Sequence, residues 1–437
     1  MDWLLSLGIG LGLLMMVLMA GMPIFLGFLA LNLAGVLIFF GPSGFGLFIN
    51  SVVDTSTSGS LTTIPLFILM GEILFRSGAV DVLFDGVDRM IGGVRGRLYL
   101  LVVTLSTLFG ALSGSAVAVV AMLGRTLLPQ MMERGYDKKL SAALIQGGAS
   151  LAPIIPPSLL AVIIGSMADV SISGLLLAGI LPGLLLAGMM IAWVFIEVWR
   201  KPSLAPADTG EREPMSWPEL GLIIFRMLPF GIVIFSVMGL MLLGIATPSE
   251  AAATGGLGAM ITAAIYRKLS LGMLRAALVS SVAVSAMILI IVAVSVLFGQ
   301  LLAFTGATGD LVRFTAGLNL HPMAMFLLLM LVPFILCMFI DQIAFMLVAI
   351  PIYAPLVKAL GFDPIWFWTL FSINLTVGSL TPPFGYTMFA LRAAAPQHIT
   401  LQEVFSASWP VTWLFLLGMA IMTLFPPIIT FLPALLR

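Results

Sequence analysis

The sequence predicts an all-α polytopic membrane protein, an inverted repeat with two re-entrant hairpins and two broken transmembrane helices. First, 61% of its 437 residues are hydrophobic and only 9% are charged, whereas soluble domains carry about 25% charged residues. Second, motifs of the first half recur in the second half at a constant spacing, without a gap. Third, the first half contains an odd number of predicted crossings, which places the second copy upside down in the bilayer.

The repeat relates two halves, approximately residues 1–210 and 211–437. One constant shift along the chain, called the repeat shift below, superimposes five sets of positions: Ser115 with Asp341, Pro129 with Pro355, Gly135 with Gly361, Ala152 with Gly378, and Pro156-Pro157 with Pro382-Pro383. Because hydroxyl, carboxyl, glycine and proline positions all keep this spacing, the halves are predicted to be structural duplicates.

Ordinary transmembrane helices need about 20 apolar residues each. Stretches of this kind are predicted at residues 3–21, 23–41, 60–76, 174–198, 218–245, 248–266, 276–304 and 410–433. The first of them follows no basic segment of the kind that opens a secretory signal, so it is predicted to be a retained membrane helix.

Four longer regions are interrupted. Residues 98–129 and 322–360 are too long for one crossing and break at Ser113-Gly114-Ser115 and near residues 339–342. Each is therefore predicted to be a re-entrant hairpin. Residues 138–170 and 364–396 contain the Pro-Pro pairs. Because proline removes an N–H and clashes with the preceding turn, these regions are predicted to be unwound helices that still cross.

The remaining segments connect these elements. Residues 80–97 and 309–319 carry charges at helical spacing beside apolar residues, which suits helices on the membrane surface, either simple connectors or arms that tether a moving unit. Residues 200–219 are polar and proline-rich and are predicted to be a mobile cytoplasmic linker. The predicted units are residues 1–76, 77–170, 171–217, 218–304, 305–397 and 398–437.

The positive charges support this topology. With the N-terminus outside, all but three of the 19 Lys and Arg residues fall on the cytoplasmic side, the exceptions being Arg313, Lys358 and Arg437. Cytoplasmic loops of membrane proteins collect such residues. The pattern predicts that both termini lie outside and that the two hairpins enter from opposite faces.

Composition also excludes several classes of function. The net charge is zero, and the sequence contains no basic patch, no Gly-rich phosphate loop and no His/Cys cluster with metal spacing. Nucleic acid, an organic cofactor and zinc are therefore not expected. The single cysteine, Cys337, excludes an intrachain disulfide and is expected to be a packing residue.

The hairpin tips and the broken helices together predict cation sites. A small cation that leaves water needs five or six oxygen ligands, and unwound carbonyls with a hydroxyl supply them without a full charge. Ser113 and Ser115 at the first tip are expected to face residues 152–157. The symmetric set is Phe339, Asp341, Gly378, Leu380 and Pro383, with the hydroxyls of Thr376, Ser379 and Thr381 nearby.

Asp341 is the most informative ionisable residue, because a carboxyl group at membrane depth is expensive and usually functional. Three roles are open to it: assisting a bound cation, capping the second helix of its hairpin, or carrying a proton. Glu72 and Glu250 are expected to be structural, and Glu250 lies in a first helical turn that favours an acid.

The four broken elements also present half-helix N-termini towards one point near the midplane. Their free N–H groups favour an anionic group, above all a carboxylate. The substrate is therefore expected near Ser115, Pro156, Asp341, Thr381 and Pro382. Arg392 is a further candidate, although its position also suits a helix-end arginine that reaches the interface.

With these motifs, the chain resembles the large membrane subunit of the tripartite ATP-independent periplasmic (TRAP) transporters. The resemblance covers essentially the whole chain and is carried by Gly110-x-x-Ser-Gly-Ser-Ala-x-Ala118, Pro153-Ile-Ile-Pro-Pro-Ser158 and Thr381-Pro-Pro-Phe-Gly385. It implies an inverted-repeat elevator transporter, in which one unit moves across the bilayer against a fixed scaffold.

The resemblance further implies import of a small carboxylate or related organic anion across the bacterial inner membrane, with sodium as the coupling ion. The outer side on which the charges place both termini is then the periplasm. The implied partners are a four-helix small membrane subunit and a periplasmic binding protein, besides the surrounding lipid. It also implies a first sodium site formed by Ser113, Ser115, Ala152, Ile154 and Pro157. Family members commonly have glycine where this chain has Ala152.

Three other functions compete with this one. A stand-alone divalent-anion sodium symporter shares the paired-hairpin plan, but its hairpins usually contain Ser-Asn-Thr, which is absent here. An intramembrane serine protease would need a base, and the only histidines, His321 and His398, fall in predicted loops. A channel is disfavoured because hairpins from opposite faces would block a continuous pore. The chain is therefore not expected to be an enzyme.

Overall fold

A computed structural model describes residues 8–10, 12–14, 16, 21–206, 216–396 and 399–436, without the side chains of residues 111–113. These residues form helices joined by turns, and none of them is in a strand. Seven helical segments among them are long and apolar enough to cross a membrane. The chain is thus an all-helical, multi-pass membrane protein, as the sequence predicts.

The helices fall into two sets. Those of the first half are α1 (Ile24–Phe40), α2 (Phe45–Thr57), α3 (Thr63–Arg76), α4 (Ala79–Ile91), α5 (Arg97–Ser113), α6 (Ala116–Glu133), α7 (Lys138–Ala149), α8 (Leu159–Ala168), α9 (Ile172–Ala178) and α10 (Ile180–Arg200). Those of the second half are α11 (Trp217–Leu242), α12 (Pro248–Ile265), α13 (Leu271–Phe304), α14 (Ala307–Gly317), α15 (Pro322–Cys337), α16 (Gln342–Ala359), α17 (Pro364–Leu380), α18 (Tyr386–Ala394), α19 (Leu401–Leu424) and α20 (Pro427–Ala434).

The sequence repeat reappears in the helix boundaries. The repeat shift carries the first residues of α2, α6 and α7 onto the first residues of α13, α16 and α17. Packing repeats as well, since α5 packs on α7 as α15 packs on α17, and α3 packs on α12 as α13 packs on α1. The duplication is therefore confirmed in three dimensions.

Several predicted boundaries differ from the structure. The sequence predicts no helix in residues 42–59, yet α2 forms there because it packs along α13. The span predicted at 174–198 is divided at Gly179 into α9 and α10. The span predicted at 410–433 is divided at Phe425-Pro426, because Pro426 has no N–H to continue the helix. The span predicted at 3–21 lies mostly outside the described residues.

One assembly of helices surrounds α3 and α13. Helix α3 packs on α12 and α13, α13 packs on α1 and α2, and α11 packs on α12. Glu72 joins α3 to α13, since its carboxylate accepts from Ser280 Oγ at 2.9 Å and from Arg76 Nε at 2.9 Å. Glu250 accepts from Thr247 N at 2.8 Å in a capping box. Both glutamates make structural contacts, as expected.

A second assembly holds the hairpins and the broken helices. The second helix of each hairpin packs on the post-break helix of the other repeat, so α6 meets α18 and α16 meets α8. Helix α19 packs on both pre-break helices, α7 and α17, and α10 packs on α5 and α19. The two repeats are thus interlocked around the broken segments.

The surface segments form α4 and α14, and the start of the linker is fastened rather than loose. The Tyr99 hydroxyl donates to the Leu204 carbonyl at 2.6 Å, and the same carbonyl accepts from Asp137 N at 3.0 Å. Arg95 Nε donates to the Ala205 carbonyl at 3.1 Å. Groups at the base of the first hairpin thus satisfy the carbonyls of Leu204 and Ala205, and the predicted mobility of the linker stays a prediction. Residues 207–215 lie outside the described chain.

The hydrogen bonds from Tyr99, Asp137 and Arg95 to the linker carbonyls are called the clasp below, and Tyr99→Phe tests them. The variant removes the donor to Leu204 while keeping the ring, so local opening should become easier by about 1–2 kcal/mol. Limited digestion of the purified protein with Lys-C should then cut after Lys201 roughly 5–30 times faster. Tyr266→Phe is the control, because that hydroxyl donates to the Arg226 carbonyl at 2.7 Å, away from the linker. Equal cleavage rates in wild type and Tyr99→Phe would disprove the clasp.

Candidate functional site

The first break separates α7 from α8 over residues 150–158. Its backbone is closed locally by Ser158, whose hydroxyl donates to the Pro153 carbonyl and accepts from Ala161 N at 3.2 Å. Ser158 thereby caps the N-terminus of α8. The Pro156-Pro157 bond, like Pro382-Pro383 in the second repeat, is cis.

The first hairpin tip lies directly on this break. Gly114 adopts a left-handed conformation with φ of 57°, and a Cβ there would come within 3.4 Å of the Pro157 carbonyl oxygen. A Cβ on Gly110 would lie 2.8 Å from Ala152 Cα. Glycine is therefore required on the hairpin side of the crossing, which leaves room for alanine at position 152.

The exposed group at this tip is Ser115. Its hydroxyl accepts from Ala118 N at 3.4 Å and caps α6. The side chain of Ser113 lies outside the described residues, although α5 ends at this position. The tip thus presents an exposed serine directly after Gly114, whose Cβ position lies against the Pro157 carbonyl.

Two of the three predicted carbonyl ligands of the first break, Pro157 and Ile154, point to different neighbours. Pro157 faces the tip, whereas the Ile154 carbonyl lies against the α9–α10 junction, where a Cβ on Gly179 would be 2.2 Å from its oxygen. A small cavity lined by Ile154, Ser158 and Thr369 lies on that side. The structure therefore places Ala152 against Gly110 and the Pro157 carbonyl against Gly114 at the tip, and the Ile154 carbonyl against Gly179.

The second hairpin tip is organised by Asp341. Its Oδ1 atom accepts from Ile343 N at 3.0 Å and from Ala344 N at 3.1 Å, which caps α16. Of the three roles open to Asp341, the structure thus displays capping. Beside it, Phe339 is 56% exposed and its ring lies 6.3 Å from that of Phe384.

The second break is held from several helices. A Cβ on Gly378 would lie 2.7 Å from both Cys337 Cβ and the Phe334 carbonyl, so glycine here stands on the broken helix rather than on the hairpin. Thr376 Oγ1 lies 3.3 Å from Gln342 Oε1, which ties α17 to α16. Thr381 Oγ1 lies 3.3 Å from Thr412 Oγ1 on α19.

The predicted ligands at the second break differ in their exposure. Leu380 is buried, as Gly378 is, whereas Pro383 is exposed. Pro382 is half-buried, while its counterpart Pro156 is buried. The second site is therefore the more open of the two.

Three polar residues of this site are missing from the sequence-based set. Gln342 and Thr412 make the contacts described above, and the Tyr386 hydroxyl lies among Asp341, Gln342 and Ser379. Under the repeat shift, the first-half counterparts of Gln342 and Tyr386 are the apolar Ala116 and Leu160. Gln342 and Tyr386 could have been found from this difference, because each is polar while its counterpart in the other copy of the repeat is apolar.

Other predicted residues lie apart from the tips. Arg392 occupies the last turn of α18, about 9 Å of helix rise beyond Tyr386. His321 Nδ1 accepts from Met323 N at 3.3 Å and caps α15 at the base of the hairpin, and His398 lies outside the described residues. Within the described chain, no group of three or more His, Cys, Asp or Glu side chains is placed to hold a metal ion.

Comparison with known proteins decides between the carrier families. Residues 11–428 match the family model for the tripartite ATP-independent periplasmic transporter, DctM component. The chain belongs to the TRAP large permease family. The ectoine TRAP transporter large permease TeaC of Halomonas elongata is 30% identical over 420 residues, covering 95% of this chain and 96% of TeaC. The C4-dicarboxylate TRAP permease DctM of Pseudomonas aeruginosa is 28% identical over 408 residues, covering 92% and 93%.

The fold is also that of known transporters. MtrF of Neisseria gonorrhoeae, one of a class of antimetabolite efflux pumps, superposes with a TM-score of 0.64 at 15% identity over 88% of this chain and 85% of that one. The relatives of this TRAP permease are transporter subunits and not enzymes. TRAP large permeases in general work with a small membrane subunit and a periplasmic binding protein.

Two substitutions of Asp341 separate the contribution of its capping hydrogen bonds from that of its negative charge. Asp341→Asn keeps an Oδ1 acceptor, so the melting temperature should stay close to wild type, whereas Asp341→Ala should cost about 0.5–2 kcal/mol. Thermal unfolding of both purified variants measures this difference. Equal stability of Asp341→Ala and wild type would show that the two hydrogen bonds do not stabilise the tip.

Proposed function

We propose that this chain is the membrane carrier of a TRAP system that imports a small organic acid by sodium symport with an elevator mechanism. It receives substrate from a periplasmic binding protein and assembles with a four-helix small membrane subunit. It resides in the bacterial inner membrane with both termini in the periplasm.

The observation that carries this proposal is that each hairpin packs on the broken helix of its own repeat. At the first tip, Ser115 and the Pro157 carbonyl supply oxygens beside a break whose own backbone is closed by Ser158. At the second, Gly378 packs on Cys337 of the hairpin, and Asp341 lies near Tyr386, which follows the break. Neutral oxygens with one carboxylate suit a hard monovalent cation, which supports sodium sites built from the two predicted sets.

The substrate class follows from charge and from relatives. The N-termini of α6, α8, α16 and α18 adjoin the tips and breaks, and such N-termini favour a carboxylate. TeaC carries ectoine and the Pseudomonas DctM carries C4-dicarboxylates, so an organic acid is proposed here. Its contacts are Ser115, Pro156, Asp341, Thr381 and Pro382, with Arg392 as a more distant candidate.

Membership of the TRAP large permease family excludes the stand-alone divalent-anion sodium symporter that the sequence alone left open. The proposed dependence on a periplasmic binding protein is tested by uptake into proteoliposomes with and without such a protein. Dependence on the binding protein supports the TRAP assignment of partners.

Sodium dependence is tested with Ser115→Ala. The variant removes one oxygen ligand, worth about 1.4 kcal/mol, so the apparent sodium affinity of uptake should fall about tenfold. Ser171→Ala is the matched control, since Ser171 caps α9 by accepting from Gly174 N at 3.1 Å away from the tip. Undiminished uptake by the wild type when choline replaces sodium would rule out sodium symport.

A pair of disulfides tests the elevator. In a Cys337→Ala background, Gly299→Cys with Pro351→Cys joins α13 to α16, where the two Cβ atoms would be adjacent. This crosslink should abolish transport. Gly124→Cys with Ala394→Cys joins α6 to α18 inside the hairpin assembly and should leave transport intact. Full transport by a completely crosslinked α13–α16 pair is incompatible with an elevator.

A further inference from the structure

Helix α16 contains a carbonyl that its own helix cannot satisfy. Pro351 lies inside α16 and has no N–H, so the carbonyl of Leu347, four residues earlier, loses its helical donor. Leu347 is fully buried. A buried carbonyl without a donor carries a desolvation penalty, so this oxygen needs a partner from another helix.

Ser295 of α13 supplies that partner. Its hydroxyl donates to the Leu347 carbonyl, and the residue is fully buried. One turn further along α13, a Cβ on Gly299 would come within 2.6 Å of Pro351 Cβ, so the proline ring rests directly on this glycine. The two helices therefore run in the same direction here, with a hydrogen bond and a close packing contact one turn apart.

This arrangement exists in one repeat only. Under the repeat shift, the first-half counterparts of Ser295, Gly299 and Pro351 are Leu69, Ile73 and Arg125. The central helices of the first assembly accordingly meet different partners, since α3 meets α5 and α8 whereas α13 meets α16. In an elevator built on an inverted repeat, unlike contacts of the two copies are expected to exchange when the moving unit changes position.

We propose that Ser295 is a positioning residue that fastens the second hairpin to the scaffold in this conformation and releases it when the hairpin assembly moves. The inference rests on the elevator of the proposed function. Pro351 makes the Leu347 carbonyl dependent on a donor from another helix. The Ser295 hydroxyl therefore stabilises this conformation relative to the other one. Ser295 sets the ratio of the two states without touching substrate or sodium.

The ratio can be measured by distance spectroscopy between spin labels at Leu257→Cys on α12 and Leu327→Cys on α15, both exposed positions. The full chain carries Cys337→Ala and is reconstituted in nanodiscs with its small membrane subunit. Ser295→Ala should lower the population that matches this structure by about fivefold or more, since it leaves the carbonyl without a donor.

Pro351→Ala provides the decisive comparison. The alanine restores the N–H, so Leu347 regains its helical partner, and Ser295→Ala in this background should change the ratio less than about twofold. Should Pro351→Ala fail to fold, Ser295→Thr retains the hydroxyl and should keep the ratio of the wild type. Ser281→Ala is the matched control, because that hydroxyl donates to Ala277 in its own helix at 2.7 Å.

The outcomes separate this inference from the proposed function. Two populations with a ratio unchanged by Ser295→Ala would overturn the role of Ser295 alone. An equal shift in the presence and absence of Pro351, or an equal shift in Ser281→Ala, would overturn it as well. A single distance in the wild type at every sodium concentration would overturn the elevator and this inference together.

Discussion

The structure depends on one constraint, the need of every backbone N–H and C=O group at membrane depth for a partner. Helices meet it internally, and the chain departs from helix at two tips and two breaks. At three of these places a nearby side chain supplies the missing partner: Ser158 for Pro153 in the first break, and Ser115 and Asp341 at the two tips. The unwound segments are stable because their surroundings complete them.

The two copies of the repeat have diverged around this shared plan. The first keeps close contact by glycine on the hairpin, at Gly110 against Ala152, and the second by glycine on the broken helix, at Gly378 against Cys337. Either arrangement allows the hairpin to pack closely on the broken helix. The second copy has also gained side-chain hydrogen bonds through Gln342 and Thr412, so its break is the more polar of the two.

Helices outside the hairpins stabilise the site by packing on the broken helices. Gln146 Nε2 of α7 donates to the Val404 carbonyl of α19 at 3.2 Å, and Thr412 of the same helix reaches the second break. Helix α19 therefore connects both broken helices, although the sequence predicts it as a separate C-terminal unit. The clasp at Leu204 similarly joins the end of α10 to the base of the first hairpin.

The sequence by itself determined the membrane class, the duplication, the two hairpins and the positions of the breaks, because apolar runs and Pro-Pro pairs act over a few residues. Only the tertiary structure decided that Pro157 rather than Ile154 faces the first tip, that Tyr386 adjoins Asp341, and that α2 forms a helix. These features depend on contacts between residues far apart in the chain. A local pattern cannot specify the direction of a carbonyl in unwound backbone, since that direction is set by the helices that pack around it.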